Sequence, residues 1–166
     1  MAKKHKKLNS MRLLEANEIP YEVFEYDTSL KDAAAVAEAV GIPEFMVYKT
    51  LIVYSVATEA PMIVMLASDM QLDLKQIASA SGEKKVKMMK HADAERATGL
   101  QVGGMSALML MDKNWPVYID APATQLQNIV ISAGQRGLQL QVPVTPLLSL
   151  LKARIADVST SDDEGS

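Results

Sequence analysis

Lys49 is the residue of this chain best placed to do chemistry, because it interrupts the apolar run Val47-Tyr48-Lys49-Thr50-Leu51-Ile52-Val53. Two-residue alternation along a strand puts it on one face with Val47, Leu51 and Val53, so its ammonium points toward a desolvating environment. An unpaired buried charge is costly, so a lysine held there needs an acceptor or an anionic ligand, and such lysines act through a shifted pKa or a bound anion. The competing reading is a strand-end lysine whose stem lies on apolar surface with its head in water. Spacing alone does not choose between them.

Two glycine-bearing segments supply the other candidates. Val102-Gly103-Gly104-Met105-Ser106 offers Gly103 and Gly104, whose missing Cβ lets a phosphate or a developing oxyanion approach main-chain N–H groups, with Ser106 alongside. Ser132-Ala133-Gly134-Gln135-Arg136-Gly137 brings together the Ser132 hydroxyl, the amides around Gly134 and the Arg136 guanidinium, a set suited to a ribose or a phosphate. An ordinary tight turn explains either segment on spacing alone. Neither serine reads as the nucleophile of a triad, because His5 and His91 are the only histidines and nothing marks His91 as an activated base. Lys84, Lys85, Lys87 and Lys90 form a local basic run that either touches an RNA backbone or is a solvated face.

The elements that must position these residues are legible from periodicity and punctuation. A helix is expected over Ser10–Asn17, closed ahead of Pro20, then a strand over Tyr21–Tyr26. The second helix carries Ala33, Val36, Ala37 and Val40 at helical spacing, with Ser29 and Asp32 as capping pair and Gly41 as exit. Val47–Val56 and Met62–Ala67 read as a buried central hairpin, and Asp73 caps a helix that Gly82 stops. Strands are expected over Lys85–Met88, Val117–Asp120, Ile129–Ser132 and Ile155–Val158, with a helical turn at Asp93–Thr98. Leu138, Leu140 and Val142 alternate with Gln139 and Gln141, which predicts a half-exposed strand, followed by a helix over Pro143–Ala153. Strands and helices mix without a steady strand–helix repeat, so the expected class is α/β of the α+β type, a mixed, largely antiparallel curved sheet or partly closed barrel flanked by helices.

With 166 residues and 49% hydrophobic content the chain is sized for one core. Its apolar runs are too short for a membrane span. The basic start, Met1 to Lys7, leads into no apolar stretch of the kind a secretion signal needs, so a cytoplasmic location is expected. Residues 1–8 and 159–166 are polar and small and are expected to fray, leaving 9–158 as the domain. The absence of cysteine excludes disulfides, thiolate nucleophiles and zinc ribbons, and no metal site is expected. A net charge of −3 argues against the long basic groove that a DNA partner requires.

From about Ser10 to Val158 the chain resembles the YbaK/EbsC family of aminoacyl-tRNA deacylases, relatives of the editing domain of bacterial prolyl-tRNA synthetases. The matching stretches, in order, are Val47-Tyr48-Lys49-Thr50-Leu51, Leu72-Asp73-Leu74-Lys75, Thr98-Gly99, Val102-Gly103-Gly104, Ile119-Asp120 and Ser132 through Leu138. The resemblance implies a mischarged tRNA as substrate, hydrolysis of its ester, no cofactor, and Lys49 as the active-site lysine. It further implies that Tyr26 and Thr50 line the aminoacyl pocket, that Gly103 and Gly104 contact the ester end, and that Ser132 with Gly134 bounds the cleft. A synthetase such as prolyl-tRNA synthetase is a further partner the resemblance allows, and the acidic bulk with the basic arm Met1 to Lys7 leaves open a structural partner that docks on a synthetase instead of catalysing. In the family the glycine loop continues Gly-Gly-x-Ser-Pro-x-Gly, whereas this chain reads Gly104-Met105-Ser106-Ala107-Leu108-Met109. Losing a rigid proline and a permissive glycine alters the loop, which opens two alternatives: a changed substrate, or a catalytically silent module that binds tRNA ends.

Overall fold

The computed structural model describes residues 7–30 and 32–161. The helix α1 (Asn9–Ala16) buries Met11 and Leu14 and leads to β1 (Glu22–Glu25). Helix α2 (Ala33–Val40) is capped by the Asp32 carboxylate, which accepts from the Ala34 N–H, and it exits through Gly41 at φ 74°. This differs from the expected pairing of Ser29 with Asp32: the Ser29 N–H instead donates to the Asp27 carboxylate in a local turn, and the residue flanking the first helical turn does the capping.

The hairpin β2 (Tyr48–Ser55) and β3 (Pro61–Ala67) forms as the sequence predicts, in antiparallel register from Tyr48 opposite Ala67 to Tyr54 opposite Pro61. After it come β4 (Met70–Leu72), α3 (Leu74–Ser81), β5 (Val86–Met88), α4 (His91–Thr98) and β6 (Val117–Asp120). Asp73 caps α3 by accepting from the Lys75 and Gln76 N–H groups, and Gly82 ends it at φ 77°. The chain closes with β7 (Asn128–Ser132), β8 (Leu138–Pro143), α5 (Val144–Leu151), β9 (Arg154–Ala156) and β10 (Ser159–Ser161).

The strands form a five-stranded mixed sheet in the order β5–β2–β3–β6–β9, a three-stranded antiparallel sheet β1–β8–β7, and the pair β10–β4. The pairings β3 with β6 and β6 with β9 are parallel, which makes the larger sheet mixed. Among the described residues the two larger sheets meet at one isolated parallel bridge, Val47 to Val130, so there is no closed barrel. The main core lies on the β2 face bearing Tyr48 and Ile52, together with Met65, Ile119, Ile131, Leu140 and Leu147. The opposite face carries a second cluster, with Val53, Val64 and Leu66 packed against Ile77 of α3 and Val158. Alternation along β2 and β3 therefore feeds two cores, and each fully buried aliphatic side chain contributes roughly 1.5–3 kcal/mol of burial.

Three expectations need correction. Ser159–Ser161, assigned to a fraying tail, pairs with β4 as β10; a strand this short has no periodicity to read, and the ladder is made by the main chain. At the other end Lys7 pairs with Glu15 at 2.8 Å and Leu8 packs on the core; the rest of the two predicted tails, 1–6 and 162–166, lies outside the described residues. Strand β8 is also more buried than its alternation suggests. It is the middle strand of its sheet, and Gln139 is only 8% exposed.

Candidate active site

Main-chain parity in β2 determines where a site can form. Its odd residues direct N–H and C=O toward β3: the Ser68 N–H donates to the Val47 carbonyl at 2.7 Å and the Ser55 N–H to Ala60 at 3.1 Å. Its even residues face the other way, as the Met89 N–H to Ile52 carbonyl bond and the Val56 N–H to Lys85 carbonyl bond show, both at 3.0 Å. On that second side β5 pairs only with Val53–Ser55, and β7 only through the bridge at Val47. Between these two contacts the strands splay, and the main chain of Thr50 faces the gap.

A cavity of about 350 Å³ occupies the gap. Six consecutive residues, Val47 to Ile52, line it. Side chains of one strand alternate between faces, so six in a row can reach one cavity only if it runs along the strand's edge. Lys49 and Thr50, which start on opposite faces of the sheet, thereby share one cleft. The remaining wall includes Tyr26, Gly103, Ser132 and Gln139, with Met88, Met89 and His91 on another side. Lys84, Lys85, Lys87 and Lys90 are exposed on and beside β5, the strand that ends at this rim.

Of the residues singled out in the sequence, Lys49, Tyr26, Thr50, Gly103 and Ser132 line the cavity. Lys49 is half-buried, and its ammonium donates to the Met70 carbonyl at 2.6 Å. The Tyr26 hydroxyl donates to the Gly103 carbonyl at 3.3 Å, tying β1's exit to the glycine loop. The other four candidates build the wall instead of lining it. Arg136 donates through Nε to the Val102 carbonyl at 2.7 Å, so its guanidinium straps the two glycine segments together. A Cβ on Gly104 would stand 3.1 Å from the Arg136 amide nitrogen, and its own N–H is committed to the Gln101 carbonyl at 2.8 Å. Gly134, at φ 107°, donates to the Ser132 hydroxyl at 3.1 Å and lies against Met109. The Ser106 hydroxyl is buried with no hydrogen-bond partner among the described residues.

Among the cavity-lining residues that escaped the sequence reading, two carry buried polar atoms without a hydrogen-bond partner among the described residues. Tyr48 is 2% exposed, and its hydroxyl has no hydrogen-bond partner among the described residues. Burial raises its pKa above the ordinary tyrosine value, and the negative charges of Asp120 and Asp69 push in the same direction. Gln139 likewise leaves its side-chain carbonyl oxygen without a partner among the described residues. Buried polar atoms without partners are uncommon in folded proteins and mark places where a ligand can complete the bonding. Nothing in the local sequence distinguished Gln139 from Gln141.

Among the described residues no group of three or more histidine or acidic side chains could hold a metal ion. No helix among them is long and apolar enough to cross a membrane.

Residues 27–150 match the aminoacyl-tRNA editing domain family. The chain is 37% identical over 166 residues, 98% of this chain and 100% of the relative, to the proposed Cys-tRNA(Pro)/Cys-tRNA(Cys) deacylase EbsC of Enterococcus faecalis. In fold it is similar to a hypothetical protein of known crystal structure, with TM-score 0.84, 21% identity, and coverage of 92% of this chain and 100% of that one. It is similar in the same sense to a proposed trans-editing enzyme for prolyl-tRNA synthetase, with TM-score 0.79, 19% identity, and coverage of 95% and 100%.

Proposed function

The chain belongs to the aminoacyl-tRNA editing domain family, and from that premise we propose that it is a trans-editing hydrolase that cleaves the ester of a mischarged tRNA, with Lys49 as its central residue. The observation that carries the reading is the opened edge of β2, where Lys49, Thr50, Gly103 and Ser132 converge on one cavity. The substrate class proposed is a small aminoacyl ester of tRNA(Pro) or a related tRNA. Cysteinyl-tRNA is the first to test, given the name of the 37% identical relative.

In this mechanism the 3′ adenosine and its ester enter along the strand edge while the exposed lysines beside β5 meet the RNA backbone. The Lys49 ammonium, held in place by the Met70 carbonyl, turns part of its donor capacity to a phosphate or ester oxygen. Water adds to the ester carbonyl carbon, and the oxygen that gains charge is met by main-chain N–H groups. The Gly104 amide is already used within its loop, so the Gly103 amide and the edge amide of Thr50 are the donors assigned here. Collapse of the adduct breaks the bond to the ribose oxygen, which takes a proton, and free amino acid and tRNA leave. Each well-aimed donor of this kind is worth about 3 kcal/mol of barrier, and the activated ester requires no cofactor.

Single-turnover hydrolysis of alanyl-, cysteinyl-, seryl- and threonyl-tRNA by the wild type and by Lys49→Ala tests the reading. The expected result is cleavage of at least one ester by the wild type and a loss of roughly 100-fold or more in the variant. Undiminished cleavage by a folded Lys49→Ala protein refutes the role of the lysine. Binding of all four without cleavage by the wild type favours a silent binding module with an altered glycine loop.

A further inference from the structure

We propose that the aminoacyl group of the substrate docks as the missing residue of a β-ladder, paired with Thr50, so that efficient cleavage requires a free α-amine. The inference rests on the hydrolase reading given above and deepens it, naming the substrate class and the main-chain groups that recognise it.

The open rung follows from the ladder around it. Thr50 lies opposite Met65 of β3, but its main chain belongs to the even set of β2, which faces away from β3. On that far side β5 begins its pairing at Val53, β7 touches β2 at Val47, and the Ile52 carbonyl already accepts from the Met89 N–H. Between those contacts no ladder or loop bond takes up the Thr50 N–H or C=O among the described residues. Thr50 is only 9% exposed and yet lines the cavity. A donor and an acceptor left this way inside a fold call for a partner.

In an antiparallel sheet a bonded pair is two residues that exchange N–H to C=O bonds in both directions. An aminoacyl ester carries the same two groups on one Cα, an α-ammonium that donates and an ester carbonyl that accepts. Set opposite Thr50, it receives the Thr50 N–H on its carbonyl oxygen, where hydrolysis needs a donor, and gives an ammonium proton to the Thr50 carbonyl. Peptides that extend an open sheet edge bind through the same main-chain bonds. Here the ribose ester has no N–H with which to continue, so the substrate makes a single rung, which is what the gap offers. Side chains of a bonded pair stand on one face. That of the substrate therefore shares the face of Thr50, between Tyr48 and Ile52, which are 2% and 3% exposed, and a small side chain fits such flanks best.

The rung is made by main chain, so the test varies the substrate and keeps the protein wild type. For each ester of the panel above that is cleaved, the counterpart lacking the amine is prepared: propionyl for alanyl, β-mercaptopropionyl for cysteinyl, β-hydroxypropionyl for seryl, β-hydroxybutyryl for threonyl. With every rate divided by that of spontaneous hydrolysis, loss of the amine should lower kcat/KM by roughly 10- to 100-fold, the range for one hydrogen bond to a charged group. A stable analogue with the same aminoacyl group on 3′-amino-3′-deoxyadenosine should, when bound, slow exchange of the Thr50 N–H and move the Thr50 carbonyl carbon resonance. The analogue lacking the amine should leave that carbonyl resonance in place. Equal acceleration of esters with and without the amine overturns the docking and leaves the hydrolase standing. So does a Thr50 carbonyl resonance unmoved by the bound aminoacyl analogue, since another group then holds the amine. Cleavage of no ester in the panel is the separate failure, that of the hydrolase reading itself, and the docking falls with it.

Discussion

The two edges of β2 are built from the same eight residues and serve opposite ends. Toward β3 every residue from Tyr48 to Tyr54 has a partner across the ladder. Toward β5 and β7 the ladder is interrupted, and a cavity fills the interval. One edge holds the fold together; the other, rooted in the same rigid strand, turns main-chain groups and Lys49 toward the cavity. Placing an open edge back to back with a fully laddered one keeps it positioned without filling it.

The largest effect expected from this asymmetry is in amide exchange. The Lys49, Leu51 and Val53 amides face β3 and should exchange only on global opening, while the Thr50 amide exchanges through local fluctuation. Local opening free energies run from about 0 to the global value, so the gap in rate should be several orders of magnitude. Equal protection of Thr50 and Leu51 in a hydrogen-exchange experiment would erase the comparison.

A smaller effect is expected where the far wall is held. A Cβ at Gly134 would lie 2.4 Å from Met109 Cγ, and φ there is 107°, a conformation whose strain for a residue other than glycine is about 1–3 kcal/mol. Gly134→Ala should therefore lose at least that much stability in urea unfolding, with the overlap adding to it. Made in a Met109→Gly background, the same substitution should cost only the part due to φ. No cost in that background would mean that backbone conformation is not limiting in that wall.

The smallest effect sharpens the boundary between core and cleft at Tyr48. Its hydroxyl has no partner among the described residues, so Tyr48→Phe at neutral pH should change stability by less than about 1 kcal/mol. The sign with pH follows from the raised pKa. The folded state favours the protonated phenol, so this contribution is complete below the unfolded value of about 10 and is lost as pH rises through the folded value. The wild type should thus lose more stability than Tyr48→Phe between neutral and strongly alkaline pH. A fall in turnover without a change in stability would instead assign the hydroxyl to the cleft.

Much of this architecture is legible in the sequence because local chemistry and burial agree. The β2–β3 hairpin, the Asp73 and Gly82 boundaries of α3, and β6 all follow from β-branched and apolar runs or from capping. Lys49 is legible as an interruption of an apolar strand, and the resemblance groups it with Tyr26, Thr50, Gly103 and Ser132. What the sequence conceals is long-range. The Val47–Val130 bridge is a contact between distant segments that no period announces. The burial of Gln139 depends on β1 and β7 flanking β8, not on β8 itself. Arg136 has the chemistry of an anion ligand, and only the fold reveals that the Val102 carbonyl already engages it.

The seam between Val47 and Val130 also bears on how the molecule is made. During synthesis the half that carries Lys49 leaves the ribosome well before the opposing wall exists, so a growing chain holds the lysine but no chamber. Until β7 arrives, the stretch of β2 that β5 leaves uncovered is a bare strand edge, the kind of surface on which nascent polypeptides stick to one another. Hydrolytic competence and protection from aggregation should therefore appear together, late in translation.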